Sequence, residues 1–174
     1  MEYFVHNQGE EGEIMQRCGI PLFKITDEGQ TMISRALVVD DEEIVRRLLE
    51  MVLVKNGFEV IEAADGEQAI DILCDDLDFS LIITDLHMGK INGIEVVKKA
   101  KELNCEAILF LITASRDDSY KTAAFDSGAD EYLQKPFSIV ELADLIRSHQ
   151  LKREAIPAVN RKADREGPGV YLSE

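Results

Sequence analysis

Along residues 35–149, short apolar runs alternate with stretches whose apolar positions recur every three or four residues. The clearest run is Leu81–Asp85 (Leu-Ile-Ile-Thr-Asp), apolar and β-branched, as a strand buried on both faces requires. Runs at 36–39, 58–63, 108–113 and 131–134 predict four more strands. Ile44, Leu48, Met51 and Val52 recur at helical spacing, with Leu49 and Val54 widening the face, until Asn56-Gly57 stops the helix. Ala69, Ile70 and Leu73 mark a second helix. The turn residues Gly89, Asn92 and Gly93 precede a third over 94–103, with Ile94, Val97 and Ala100 or Lys101 on its inner side. A weaker fourth helix over 119–127 stops at Gly128, and Ile139, Leu142, Leu145 and Ile146 form the face of a fifth ending near His149. Five strands alternating with five helices predict an α/β domain with parallel pairing and right-handed crossovers.

The flanks lack this order. Residues 1–34 show no sustained period and predict an N-terminal extension that is poorly ordered or holds one short irregular element. Met32 leads directly into the first strand and reads as a start, with 1–31 an upstream extension. Residues 150–174 are charged, contain Pro157, Pro168 and two glycines, and predict a mobile C-terminal tail. Within it, Leu151-Lys152-Arg153 reads as a solvated charge run rather than a helix extension or a partner contact. No run approaches a membrane span and no basic-then-apolar leader opens the chain, so a cytoplasmic protein without a membrane partner is expected. Cys18, Cys74 and Cys105 are odd in number and far apart, which fits thiols in a reducing compartment and neither a disulfide framework nor a zinc spacing.

Charge narrows the function. The chain carries a net −15, and residues 35–149, with 12 basic and 24 acidic side chains, hold −12 of it. A domain this acidic repels nucleic-acid phosphates, so DNA is not an expected partner. Three acids stand out by position. Asp85 ends the central run, and Asp40-Asp41 end the run at 36–39, where open α/β sheets bind their ligands. A lone Asp after a strand is ordinarily a cap or turn former. An adjacent pair plus a third acid is harder to explain that way, because close carboxylates raise one another's pKa unless a cation lies between them. Mg²⁺ suits such a site, being hard, oxygen-seeking and content with few protein ligands. Thr113 and Lys135 end the fourth and fifth runs and open onto the same sheet edge, where a hydroxyl and an ammonium can hold a phosphoryl group.

With Val39-Asp40-Asp41, Ile83-Thr84-Asp85, Ile112-Thr113-Ala114 and Gln134-Lys135-Pro136-Phe137 in order, residues 35–149 resemble the receiver domain of bacterial two-component response regulators. The resemblance implies a flavodoxin-like (CheY-like), doubly wound five-stranded parallel sheet of order 2-1-3-4-5 with helices on both faces. It implies Asp85 as phosphoacceptor and Asp40, Asp41, Asp85 and the main-chain carbonyl of His87 as the Mg²⁺ site. Thr113 is then the switch hydroxyl, Lys135 the phosphate-binding lysine and Tyr132 the switch aromatic. Two features depart from the family pattern. Met88-Gly89 stands where Met-Pro is usual, which implies a looser loop. His87 sets a titratable ring near the phosphate, although a solvent-facing ring without a kinetic role is the favoured reading.

The expected role is that of a phosphorelay signal receiver, not an enzyme with a separate substrate. A sensor histidine kinase, a histidine phosphotransfer protein or a small phosphodonor supplies the phosphoryl group to Asp85. Thr113 and Tyr132 then move inward and reshape the surface of the fourth helix, fifth strand and fifth helix for a protein partner. The 25 residues after His149 are too few for an output domain. Two rivals are weaker. A haloacid-dehalogenase-type phosphatase needs a second Asp where His87 stands. A flavin-binding flavodoxin-like domain needs a Ser/Thr/Gly-rich loop where Asp40-Asp41-Glu42-Glu43 stands.

Overall fold

The computed structural model describes residues 34–154 continuously. It also describes four two-residue stretches, Gln16–Arg17 paired antiparallel with Ile20–Pro21 and Lys24–Ile25 paired with Thr31–Met32. Apart from these, the disorder expected over 1–34 falls outside the described residues, as does the mobility expected of 155–174.

The strands are β1 (Ser34–Val39), β2 (Phe58–Ala63), β3 (Leu81–Asp85), β4 (Ile108–Thr113) and β5 (Glu131–Gln134). The helices between and after them are α1 (Glu43–Lys55), α2 (Gly66–Asp75), α3 (Gly93–Glu102), α4 (Asp118–Asp126) and α5 (Ile139–Glu154). All five strands pair in parallel in the order β2-β1-β3-β4-β5. That order follows from burial. β3 and β4 are buried at every residue and take the interior of the sheet, whereas β2 and β5, with exposed or half-buried positions, take its edges.

Alternation along β1 sends Leu37 and Val39 to one face and Ala36 and Val38 to the other. The first face carries the main core, where Leu37, Val39, Ile82, Leu109 and Leu111 pack with Ala69 and Leu73 of α2, Val96, Val97 and Ala100 of α3, and Ala124 of α4. α1 packs on β1 and β2 from the opposite face. Local signals fix where the helices start. Asp65 accepts from the Gln68 amide at the start of α2. Asn92 and Glu95 form a reciprocal capping box on α3, and Asp117 accepts from the Ser119 amide on α4.

Three sequence expectations need correction. On α1 the buried residues are Leu49, Val52 and Leu53, while Ile44, Leu48, Met51 and Val54 are exposed, Ile44 by 84%. Apolar residues fill both sides of this helix, so spacing alone does not choose the side that meets the sheet. On α3, Val96 joins Val97 and Ala100 inside, and Lys101 is exposed. On α5, Leu142 and Ile146 are buried but Ile139 is exposed, and the helix runs to Glu154 rather than His149. Residues 150–154 are good helix formers, and the first breaker is Pro157.

Candidate functional site

The sheet registers align the strand ends that carry the polar groups. Val39 pairs with Thr84, Asp85 with Ile112, and Thr113 with Gln134. Asp40, Asp85, Thr113 and Lys135 therefore emerge along one edge. The chain runs outward from β1 to β2 and then crosses back to β3, so β1 and β3 flank the point where strand order reverses, and a crevice forms there.

Lys135 closes that crevice. Its Nζ donates to Asp85 Oδ1 at 2.6 Å and to Asp40 Oδ2 at 2.9 Å. The second oxygen of each acid is held by backbone, Asp85 Oδ2 by the His87 amide at 2.6 Å and Asp40 Oδ1 by the Glu42 amide at 2.9 Å. Asp40 and Asp85 are buried, and Thr113 is wholly so. The Thr113 hydroxyl oxygen accepts from the Ser115 amide at 3.0 Å, which leaves its proton free to donate. A surface cavity of about 340 Å³ is lined by Arg116, Gln134, Lys135 and Pro136.

Burial pushes the Asp40 carboxyl above its usual range, and the nearby Asp85 charge adds to this. Lys135 and the Glu42 amide pull the other way without overcoming it. Burial works to lower the Lys135 pKa, but its hydrogen bonds and charge interactions with Asp85 and Asp40 outweigh that and leave it raised. The site thus holds a firmly protonated lysine between two confined acids.

Asp40, Asp85 and Lys135 are brought together, while Asp41, next to Asp40 in the chain, is exposed. Among the described residues, no three His, Cys, Asp or Glu side chains gather as a metal cluster. The donor set nonetheless fits a hard dication. Two carboxylates against one ammonium leave negative charge in the crevice, Asp41 adds more from the adjoining position, and Mg²⁺ requires only one or two protein carboxylates with water completing its shell.

The loop after Asp85 carries both departures from the family pattern. Gly89 has φ +20°, a conformation closed to proline. The His87 side chain is exposed and meets Tyr120 of α4 edge-to-face, with ring centroids 5.1 Å apart. Tyr132 is partly buried against the main core, and burial, followed by the charges of Asp118 and Asp117, raises its hydroxyl pKa.

Two contributors escaped the sequence reading. Gly93, read there as a turn former, is needed because a side chain would overlap the Asp85 carbonyl oxygen. Arg46 donates from Nη1 to the Asp40 carbonyl at 2.7 Å. Arg46 lies six residues after Asp40, and spacing does not say where a long side chain reaches.

Comparison with known proteins agrees with this architecture. The transcriptional regulatory protein SrrA of Staphylococcus aureus is 36% identical over 107 residues, which are 62% of this chain and 44% of SrrA. The chain thus spans under half the length of the curated relatives it matches. A CheY-like response regulator receiver domain protein from Methanospirillum hungatei shares the fold at a TM-score of 0.67, with 24% identity over 71% of this chain and 98% of that one. The response regulator TrrA of Thermotoga maritima, solved in complex with Mg(2+)-BeF, is 32% identical with a TM-score of 0.60, covering 67% of this chain and 98% of its own. The model of the response regulator receiver domain matches residues 36–147. A match over that length, on a sheet of this strand order, places the chain in the family of response regulator receiver domains of two-component systems.

Proposed function

We propose that this receiver domain takes a phosphoryl group onto Asp85 and signals through the rearrangement that follows. The observation that carries the reading is the Lys135 ammonium shared between Asp85 and Asp40 at hydrogen-bonding distance. The ammonium and the His87 amide fix the Asp85 carboxylate before any donor arrives, so little reorientation is needed for attack. A carboxylate oxygen of Asp85 bonds to phosphorus as the bond to the donor, a phosphohistidine nitrogen or a small acyl phosphate oxygen, breaks. The donor leaves with the electron pair and takes up a proton where it needs one. Lys135 offsets the charge on the transferred group, and the free proton of Thr113 is available to one of its oxygens.

Asp40, Asp41, Asp85 and the His87 carbonyl are the groups that would hold a Mg²⁺ ion, whose chemistry when bound is to neutralise phosphoryl oxygens. TrrA, crystallised with Mg(2+)-BeF, supports that assignment by analogy. Hydrolysis of the acyl phosphate ends the signal. As output, Thr113 moves toward the phosphoryl oxygens, Tyr132 follows inward, and the surface carried by α4 and β5 changes for a protein partner. The partner supplying phosphate is a sensor histidine kinase or a phosphotransfer protein. SrrA is a transcriptional regulator, but the acidic charge of residues 35–149 argues against this domain itself touching DNA.

Labelling with radioactive acetyl phosphate, followed by peptide mapping, tests the assignment. Wild type takes up label at Asp85 and the Asp85→Ala variant takes up none. Undiminished labelling of the variant overturns it.

A further inference from the structure

We propose that Arg46 is a positioning residue for the cation site, acting through the main chain of Asp40 and braced by Glu62; this rests on the acid pocket holding Mg²⁺ as proposed above. Arg46 lies in the first turn of α1, and its guanidinium uses two different nitrogens. Nη1 donates to the Asp40 carbonyl at 2.7 Å, and Nε donates to Glu62 Oε2 on β2 at 3.3 Å. Both side chains are largely buried, Arg46 at 13% exposure and Glu62 at 25%. The Asp40 amide also reaches β2, donating to the Ala63 carbonyl at 3.3 Å. Both main-chain groups of Asp40 are thus tied down, and with them the peptide plane that sets where the Asp41 carboxylate hangs. A second cation lies near Glu62, with Oε1 at 3.7 Å from Arg47 Nη1.

Electrostatics and positioning predict opposite signs here. A cation this close to the acids should repel a dication, so on charge alone its removal tightens Mg²⁺ binding. Glu62 already offsets much of the Arg46 charge, which leaves positioning as the larger effect. A planar fork can serve the carbonyl and the carboxylate together, whereas a lysine ammonium, a compact point charge on a flexible stem, lacks that geometry. Groups that orient metal ligands typically change metal affinity by about 10-fold or more when removed.

The test is calorimetric titration of the full chain with Mg²⁺ alone, well below the melting temperature, for wild type, Arg46→Ala, Arg46→Lys and Glu62→Gln. We expect all three variants to bind about 10-fold more weakly, with faster amide hydrogen exchange at Asp41 and Glu42. Arg46→Lys is the critical variant, because charge alone predicts no change and the clamp predicts a loss. A lower melting temperature with an unchanged Mg²⁺ affinity in Arg46→Lys reduces Arg46 to a structural brace and overturns the proposal, as does tighter binding by Arg46→Ala. Wild type that binds no Mg²⁺ overturns the cation site itself, and the clamp with it. Wild type that binds, beside variants that bind equally well, overturns the clamp alone.

Discussion

Replacing Gly93 with alanine puts the packing of α3 against the Asp85 end of β3 to a direct test. A methyl group at this position would overlap the Asp85 carbonyl oxygen and lie 3.0 Å from its carbonyl carbon and 3.1 Å from Thr84 Oγ1. Ordinary contact begins near 3.4 Å, and the two nearest atoms in the way are backbone, which cannot swing aside as a side chain can. Either the first turn of α3 lifts off or the end of β3 shifts. Overpacking of this kind costs about 1–3 kcal/mol. The Thr84 hydroxyl donates to the same carbonyl at 3.0 Å, and losing that buried bond adds about 1 kcal/mol. Better helix propensity returns at most about 1 kcal/mol. The net expectation is a loss of about 2 kcal/mol, which at an m-value of about 2 kcal/mol/M lowers the urea midpoint by about 1 M. Far-UV circular dichroism reads the transition, since the chain has no tryptophan. Under conditions where the variant is still folded, phosphate uptake should also slow, because the shifted carbonyl belongs to Asp85. Gly89→Ala is the control. Its added methyl meets nothing within 4 Å, so only backbone strain of about 1–2 kcal/mol applies. A Gly93→Ala protein within about 0.5 kcal/mol of wild type, and labelled as fast, would refute the close approach of α3 to β3.

Two further substitutions probe the electrostatics and the local structure. The raised pKa of Asp40 means that the folded protein retains a proton the unfolded chain has released, so this group's effect is to lower stability as pH rises from the usual carboxylate value through the raised folded one. Asp40→Asn should therefore lose less stability than wild type as pH rises from the usual carboxylate range to neutrality. Urea melts of both proteins across this pH range read the difference, and a stability gap between them that does not change with pH, or changes the other way, would contradict the sign. Asn92→Ala removes half of the α3 capping box and should cost about 1 kcal/mol, seen as a melting temperature lower by a few degrees; an unchanged melting curve would show the cap to be idle.

The sequence by itself determined the framework. Apolar runs at 81–85 and 108–113 can be buried on both faces only in the interior of a parallel sheet, and helices punctuated by Asn56-Gly57, Asp65-Gly66 and Gly128 must return the chain to the same edge for each new strand. That rule alone puts Asp40, Asp85, Thr113 and Lys135 at one end of the molecule. Only the tertiary structure decided how these groups meet. Lys135 lies 95 residues from Asp40 and 50 from Asp85 along the chain, and no periodicity records that one ammonium bridges both. The buried side of α1 was equally hidden, because its sequence is apolar on two sides and the choice belongs to the sheet beneath it. With Leu49, Val52 and Leu53 turned inward, Arg46 reaches both the Asp40 carbonyl and Glu62. Gly93 carries the same lesson at shorter range. Its residue type suggested a turn, but its necessity comes from a carbonyl oxygen eight positions upstream, brought against it by packing.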